Sequence, residues 1–532
     1  MNGFLQRHAG SVTGMLSGFD RVRFRGTIRL LANASGLAAV LSYLGVLLKD
    51  FKDYAMGLSE QLKAASVGAA LSAGRPVRYL AGPLVCKEDV ARAIAKQDGV
   101  EEGLICVLTA VEPCWSFHVR RDPAARELVL ESAWRKCLHL YHYFVHEQLG
   151  FCHARVQSWL PFNVHVCVNG REWLARRMDR AGVSYERREN CFTHVSDAKR
   201  AQELLDGQLD TDWAAVLEGV RRLAHPGNDA MFPRRPMDYY WSADESEWAS
   251  DVMFEDRAAL SRLYPRLIRH GMLCLGSGDV MRYLGRRVGP EHGRFGGEVI
   301  SDVRRQELHA PGGKPPRGEG VRIKHRLNSN SIKMYDKQAS VLRVETTIND
   351  PGDFKVYRRA GGDPKSKLCW RKLRKGVADM KRRAQVSQSA NDRYLEALAG
   401  VEVSAAVGEL AAPLCKHVAG KTKGERARPL NPLADADARL LEAVALGQFA
   451  INGFRNRDIR AILYPGKPPT DAAQSRRRSA AVTRKLRLLR AHGLIRKVAH
   501  THRYVVSHKG RTAITALLAA RNANAGRLLA AA

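Results

Sequence analysis

From Asp20 to Leu30 polar and apolar positions alternate without a break. An extended chain repeats every two residues. Arg21, Arg23, Arg25 and Arg29 therefore share one side, and Val22, Phe24, Ile28 and Leu30 the other, with Asp20 on the apolar side. The same period runs through Phe162–Val168, where Asn163, His165 and Cys167 share a face, and through His153–Trp159, where Arg155 and Gln157 do. Residues 321–357 predict a β-meander of three strands, Val321–Arg326, Ile332–Lys337 and Val341–Ile348. On the last of these Arg343 and Glu345 lie opposite Leu342, Val344 and Ile348.

Elsewhere the spacing is helical. Cys137–Glu147 reads as a helix with His139, His142 and His146 on one face. Ser242 and Glu245 have the spacing of a capping box, and the helix it opens carries Asp244, Glu247 and Asp251 in one column. Near the C-terminus the pattern predicts helices over Asp435–Phe449, Asn456–Leu463 and Ala480–His492, the last capped by Ser479 and stopped by Gly493. Its stripe of Val482, Leu486 and Leu489 faces inward, with Arg484, Lys485, Arg487 and Arg490 off it. A short hairpin follows, Leu494–Val498 and Arg503–Val506 about a tip at His500–His502, then a helix from Lys509.

These elements predict a multidomain α/β (α+β) protein. A mixed domain over 1–225 ends in a helix at Trp213–Leu223, and a break at His225–Asn228 opens a central domain over 226–400. That domain includes a Gly/Pro-rich loop from Gly285 to Gly320. A linker, 401–433, leads to the domain over 434–532. There is no internal repeat.

Charge adds a partner. The 532 residues hold 86 Lys and Arg against 54 Asp and Glu, a net charge of +32. An Arg-rich composition alone predicts Arg matched by Glu and a net charge near zero; an unmatched excess calls for a polyanion, and nucleic acid supplies one. No apolar run is long enough to span a membrane, and the first sixteen residues lack the form of a secretory signal. The ten cysteines form no CxxC pair and read as reduced core residues, Cys274 between Leu273 and Leu275 for example. The expected location is the bacterial cytoplasm, at the nucleoid. Walker A, Rossmann and Gly-x-Ser-x-Gly motifs are absent.

Two resemblances sharpen this. The order helix, helix, basic helix, hairpin, helix over 434–532 resembles a winged helix-turn-helix DNA-binding domain, with Leu488–Ile495 similar to its join of recognition helix and wing. The resemblance implies that Arg476, Arg477, Arg478, Ser479, Thr483, Arg484 and Arg487 face a groove or its phosphates, and that Arg503 and the wing touch the neighbouring backbone. Over 332–348 the chain resembles a strand pair of rolling-circle replication initiators. That likeness implies a metal-ligating role for Glu345 and a nucleophilic one for Tyr335; the family's paired histidines are absent, Asn163 standing where one of them would be.

The candidate chemistry is accordingly a divalent-metal set of Asp20, Glu247, Asp251 and Glu345 holding Mg2+ or Mn2+ at a phosphodiester, or else acids paired with arginines. Arg21, Arg23, Arg25, Arg29, Lys324 and Lys333 are candidate phosphate contacts, or partners of carboxylates on neighbouring strands. Arg234, Arg235 and Tyr239–Trp241 suit base stacking, or form an aromatic corner of the core. The expected function is DNA binding with metal-dependent nicking or strand transfer, as in a transposase or replication initiator. The other reading is a non-catalytic DNA- or RNA-binding protein, a regulator or the protein part of a ribonucleoprotein. Expected partners are DNA, a structured or guide RNA, and a second copy of the chain.

Overall fold

The computed structural model describes residues 3–82, 85–233, 237–273, 275, 277–285, 299–306, 319–360, 363, 365–399, 407–419, 426–446, 449, 453–466, 469–498 and 501–521. Arg234–Pro236, Cys274, His500, most of the Gly285–Gly320 loop and part of the 401–433 linker lie outside them. The chain divides into two compact units, one of residues 8–264 with 301–392, the other of 1–7, 265–300 and 393–532.

The first unit is organised by one sheet. Its strands are β1 (Val12–Ile28), β2 (Val77–Tyr79), β3 (Gly103–Arg121), β4 (Leu128–His146), β5 (Gly150–Gln157) and β6 (Val164–Asn169). A separate hairpin follows, β7 (Tyr185–Arg188) and β8 (Cys191–Val195). The sheet resumes with β9 (Tyr239–Phe254), β10 (Val299–Gln306), β11 (Glu319–Leu327), β12 (Asn330–Lys337) and β13 (Val341–Ile348). Eleven strands pair in the order β10-β11-β12-β13-β9-β1-β6-β5-β4-β3-β2. β2 runs parallel to β3, and the central pairs are antiparallel. The expected division at residue 225 does not divide this sheet, because β1 pairs with β9 along nearly its whole length. The predicted meander is present as β11, β12 and β13.

One face of β1 supplies Phe19, Val22, Phe24 and Ile28 to the main core, with Trp248 of β9 and Trp173, Leu205 and Leu217 of the flanking helices. Glycine permits one close approach: a Cβ at Gly170, the first residue of helix Gly170–Ala181, would stand 1.6 Å from the Phe19 carbonyl oxygen.

Two expected helices are strands. Ser242–Asp251 lies inside β9, so Ser242 and Glu245 form no capping box. Local propensity loses here to ladders on both sides, and Glu245, Glu247 and Asp251 meet strand partners instead of one another. Cys137–Glu147 belongs mostly to β4, between β3 and β5. Period two separates His139 from His142, so the expected histidine face does not exist. His142 is buried, and neither ring nitrogen has a hydrogen-bond partner among the described residues.

In the second unit, helices Asp435–Ala445, Asn456–Leu463 and Ala472–Ala491 precede β18 (Ile495–Lys497), β19 (Tyr504–Val506) and helix His508–Arg521. Two short pairs come earlier in the chain: β14 (Lys355–Arg358) with β15 (Cys369–Lys372), which belong to the first unit, and β16 (Val418–Ala419) with β17 (Arg426–Ala427), which belong to the second. Leu440, Leu441, Phe454, Ile459, Val482, Leu486, Leu489 and Leu517 form the core of this unit. Its third helix begins eight residues earlier than the pattern predicts. Asp471 is the cap, its Oδ1 accepting from Gln474 N at 2.6 Å, and Ser479 lies inside the helix. Among the described residues no single helix is long and apolar enough to cross a membrane.

Candidate functional site

A β-bulge builds the centre of the site. Phe19 stands opposite Trp248, and the next pair is Arg21 with Glu247, so Asp20 is an extra residue in β1. The bulge turns Asp20 away from the apolar side, where strict alternation puts it, and onto the polar face beside Arg21. Glu247 and Asp251 of β9 and Glu345 of β13 reach the same face. One oxygen each from Asp20, Glu247 and Glu345 lies within 4.8 Å of the others. Asp251 is not in that group.

Cations hold all four acids. Arg343 of β13 donates from Nε to Asp251 Oδ1 at 2.6 Å, from Nη2 to Asp251 Oδ2 at 2.8 Å and from Nη1 to Asp20 Oδ2 at 3.1 Å. Arg171, projected by the helix that Gly170 allows against β1, donates from Nη2 to Asp251 Oδ2 at 2.7 Å, and its Nε stands 3.4 Å from Asp20. Asn190, in the turn between β7 and β8, donates to both Asp20 oxygens and accepts from Arg343 on its backbone carbonyl. The Lys333 ammonium bridges Glu345 at 2.6 Å and Glu247 at 3.3 Å, and Arg21 reaches Glu247 at 3.0 Å. Four carboxylates thus meet four cations. Arg171 and Arg343 are fully buried, and burying such charges costs several kcal/mol per ion unless pairing is complete.

The titration directions follow the pairing. Burial raises the Glu345 carboxyl, but Lys333 and Arg343 outweigh it and bring it to about 2. Burial likewise opposes, and Arg171 and Arg343 overcome, to leave Asp251 low. Burial and the neighbouring Glu345 charge raise Glu247, so it is the member of that pair that takes a proton first. Tyr335 donates its hydroxyl to Glu345 Oε2 at 2.6 Å, and burial and the Glu345 charge push the phenol well above its ordinary value. A buried phenol so placed is a poor nucleophile, and the geometry argues against that role. A divalent ion at Asp20, Glu247 and Glu345 requires the Lys333 ammonium to leave the position it bridges. The donor set fits Mg2+ or Mn2+ in oxygen type, but not in its present charge balance.

The other candidate residues separate into two groups. On β1, Arg21 and Arg23 share Glu245, and Arg25 pairs with Asp244. Arg29 lies just past the strand, its guanidinium 3.9 Å from the centre of the Tyr240 ring. Lys324 stands opposite Lys333 on the β11–β12 ladder. Tyr239 and Trp241 stack as a buried corner, the Tyr239 hydroxyl donating to Phe162 O. His165 accepts Arg155 across the β5–β6 ladder at 3.2 Å, and burial and that guanidinium hold it neutral with a pKa of about 2.

On helix Ala472–Ala491 the arrangement differs. Arg476, Arg477, Arg484, Arg487 and Arg490 are exposed, the first four on the side away from Val482, Leu486 and Leu489 and Arg490 at the edge of that stripe. Among the described residues Arg476, Arg477, Arg484 and Arg490 have no carboxylate partner. Arg478 is half-buried with its guanidinium 5.0 Å from the Tyr464 ring centre, and Arg503 is half-buried beside β19. Asn456 donates to Thr483 Oγ1 and to the Ser479 carbonyl, tying this helix to the preceding one. Ser479 and Thr483 are thus engaged inside the unit.

Sequence patterning missed Arg171 and Asn190. The one signal for Arg171 is Asn169, the cap that starts its helix by accepting from Arg171 N. No protein-family model, curated protein or solved structure matches the chain.

Proposed function

We propose that the protein binds nucleic acid through the outward face of helix Ala472–Ala491. The observation that carries this reading is that Arg476, Arg477, Arg484 and Arg490 are exposed and meet no carboxylate among the described residues. From Arg476 to Arg490 the row spans about 21 Å at the usual rise of a helix, enough to follow several phosphates. Residues 434–532 hold 19 Lys and Arg against 5 Asp and Glu, which adds a long-range field of the same sign. The element order around the row suits a winged helix-turn-helix, with this helix in the major groove of DNA and the β18–β19 hairpin as the wing.

The test is titration of the full chain against duplex DNA at several salt concentrations. Arg476→Ala, Arg477→Ala and Arg484→Ala together are expected to weaken binding about 100-fold and to lower the salt slope by about 3, with the melting temperature unchanged. Unchanged affinity and slope would refute the reading.

A second reading, metal-dependent strand cleavage, is favoured by the convergence of Asp20, Glu247 and Glu345. It requires Mn2+-dependent nicking by the wild type that Glu345→Gln abolishes without loss of binding. The complete pairing of those acids makes binding without cleavage the better supported of the two.

A further inference from the structure

Away from the charge network, β3 and β4 extend beyond their other neighbours. β2 reaches only Thr109 of β3, and β5 begins at His139 of β4, so the outer parts of both strands form ladders only with each other. On this ribbon Trp115 stands directly opposite Trp134. The two indoles are 45% and 71% exposed. They meet edge to face, with centroids 5.8 Å apart and planes at 75°. Such a contact covers one face of one ring and leaves the remaining π-surface open. Val111, 52% exposed, and Pro113 continue the apolar surface on the same side, and Lys136, opposite Pro113, stands beside it.

Charge indicates what this surface receives. The ribbon's acids are mostly engaged: Glu112 by Lys87 and Tyr141, Asp122 by the backbone N–H groups of Ala124 and Ala125, and Glu131 by Arg120. Lys136, Arg121, Arg126 and Arg135 make no ion pair with a described carboxylate, and Glu127 is the one ribbon acid left to offset them. Open indole faces beside Lys136, on a ribbon with more unpaired cations than acids, match a ligand that alternates flat rings with negative charges.

We propose that the Trp115–Trp134 face of the β3–β4 ribbon is a stacking platform for unpaired bases of single-stranded nucleic acid, with Lys136 on the adjoining phosphate. This inference rests on the nucleic-acid reading above but uses different residues and a different form of the ligand. Every base presents a π-face, so the platform takes bases without regard to sequence.

The experiment compares labelled oligothymidylate with a duplex of equal length, both bound to the full chain. Trp134→Ala is expected to weaken oligothymidylate binding about tenfold and duplex binding less than twofold, whereas Trp134→Phe, which keeps an aromatic face, retains most of the affinity. The emission that wild type has and Trp134→Ala lacks is expected to be quenched by oligothymidylate. Equal losses on both probes, or unchanged oligothymidylate binding in both Trp134→Ala and Trp115→Ala, overturn the platform while the helix reading stands. Failure of wild type to bind either probe overturns both.

Discussion

Strand β1 and helix Ala472–Ala491 look alike as sequence, each a run dense in arginine. Their surroundings make them opposites. Along β1, period two presents Arg21, Arg23 and Arg25 to Asp244, Glu245 and Glu247 of β9, and the charges cancel within the sheet. Along the helix, Arg476, Arg477, Arg484 and Arg490 are exposed and meet no described carboxylate. Arginine density therefore does not locate a binding surface. What locates it is whether the fold supplies a facing strand.

Acid should disturb the sheet side of this contrast most. His139, His142, His225 and His325 are all at most 1% exposed, and burial holds them neutral, with values near 4, 4, 3 and 4. All four belong to the sheet unit. Their folded values lie below the unfolded one near 6.5, so the unfolded chain takes up protons first. Stability is then lost as pH falls from 6.5 toward 4, and toward 3 for His225, and levels off below. Each contributes a loss of about 2 kcal/mol by pH 5, about 8 kcal/mol for the four. Tryptophan emission against urea at pH 7 and pH 5 reads this directly, because all eight tryptophans lie in the sheet unit. A shift of less than about 2 kcal/mol would contradict the burial of these rings.

Removing one buried cation should come next. Arg343→Leu leaves Asp20 and Asp251 short of partners and is expected to cost about 3–5 kcal/mol, measured by the same unfolding. Adding Asp251→Leu should recover part of that loss. The arginine-helix variant ranks third, at about 100-fold in affinity with no change in stability. Arg23→Ala should do least: the pair is half exposed, so a loss of under about 1 kcal/mol and less than twofold in DNA affinity is expected. If Arg23→Ala and the helix variant weakened binding equally, the contrast between the two runs would collapse.

Much of the fold was legible. The alternation of β1, β6, β12 and β13 and the inward stripe of the arginine helix follow from spacing that only one backbone conformation satisfies. β4 and β9 were misread because their histidines and acids also fit a helical column, and only neighbours distant in sequence decide between the two. The acids of the site could be named one by one, but not their grouping. Asp20 joins Glu247 and Glu345 through a bulge, which depends on how β9 registers with β1, and a sequence pattern carries no register. Arg171 looks like any surface arginine until Gly170 brings its helix onto the Phe19 carbonyl.

The pairing of β1 also bears on how the chain is made. Arg21 finds Glu247 226 positions later, and Asp20 finds Arg343 323 positions later. At about 5–20 residues per second, the first of these partners leaves the ribosome roughly 10–45 seconds after β1 does. Through that interval an arginine-rich strand lacks the β9 carboxylates that neutralise it in the folded sheet and has no ladder on its β9 edge. Completion of β9 therefore marks the moment at which the positive charge of β1 can be taken up by the sheet.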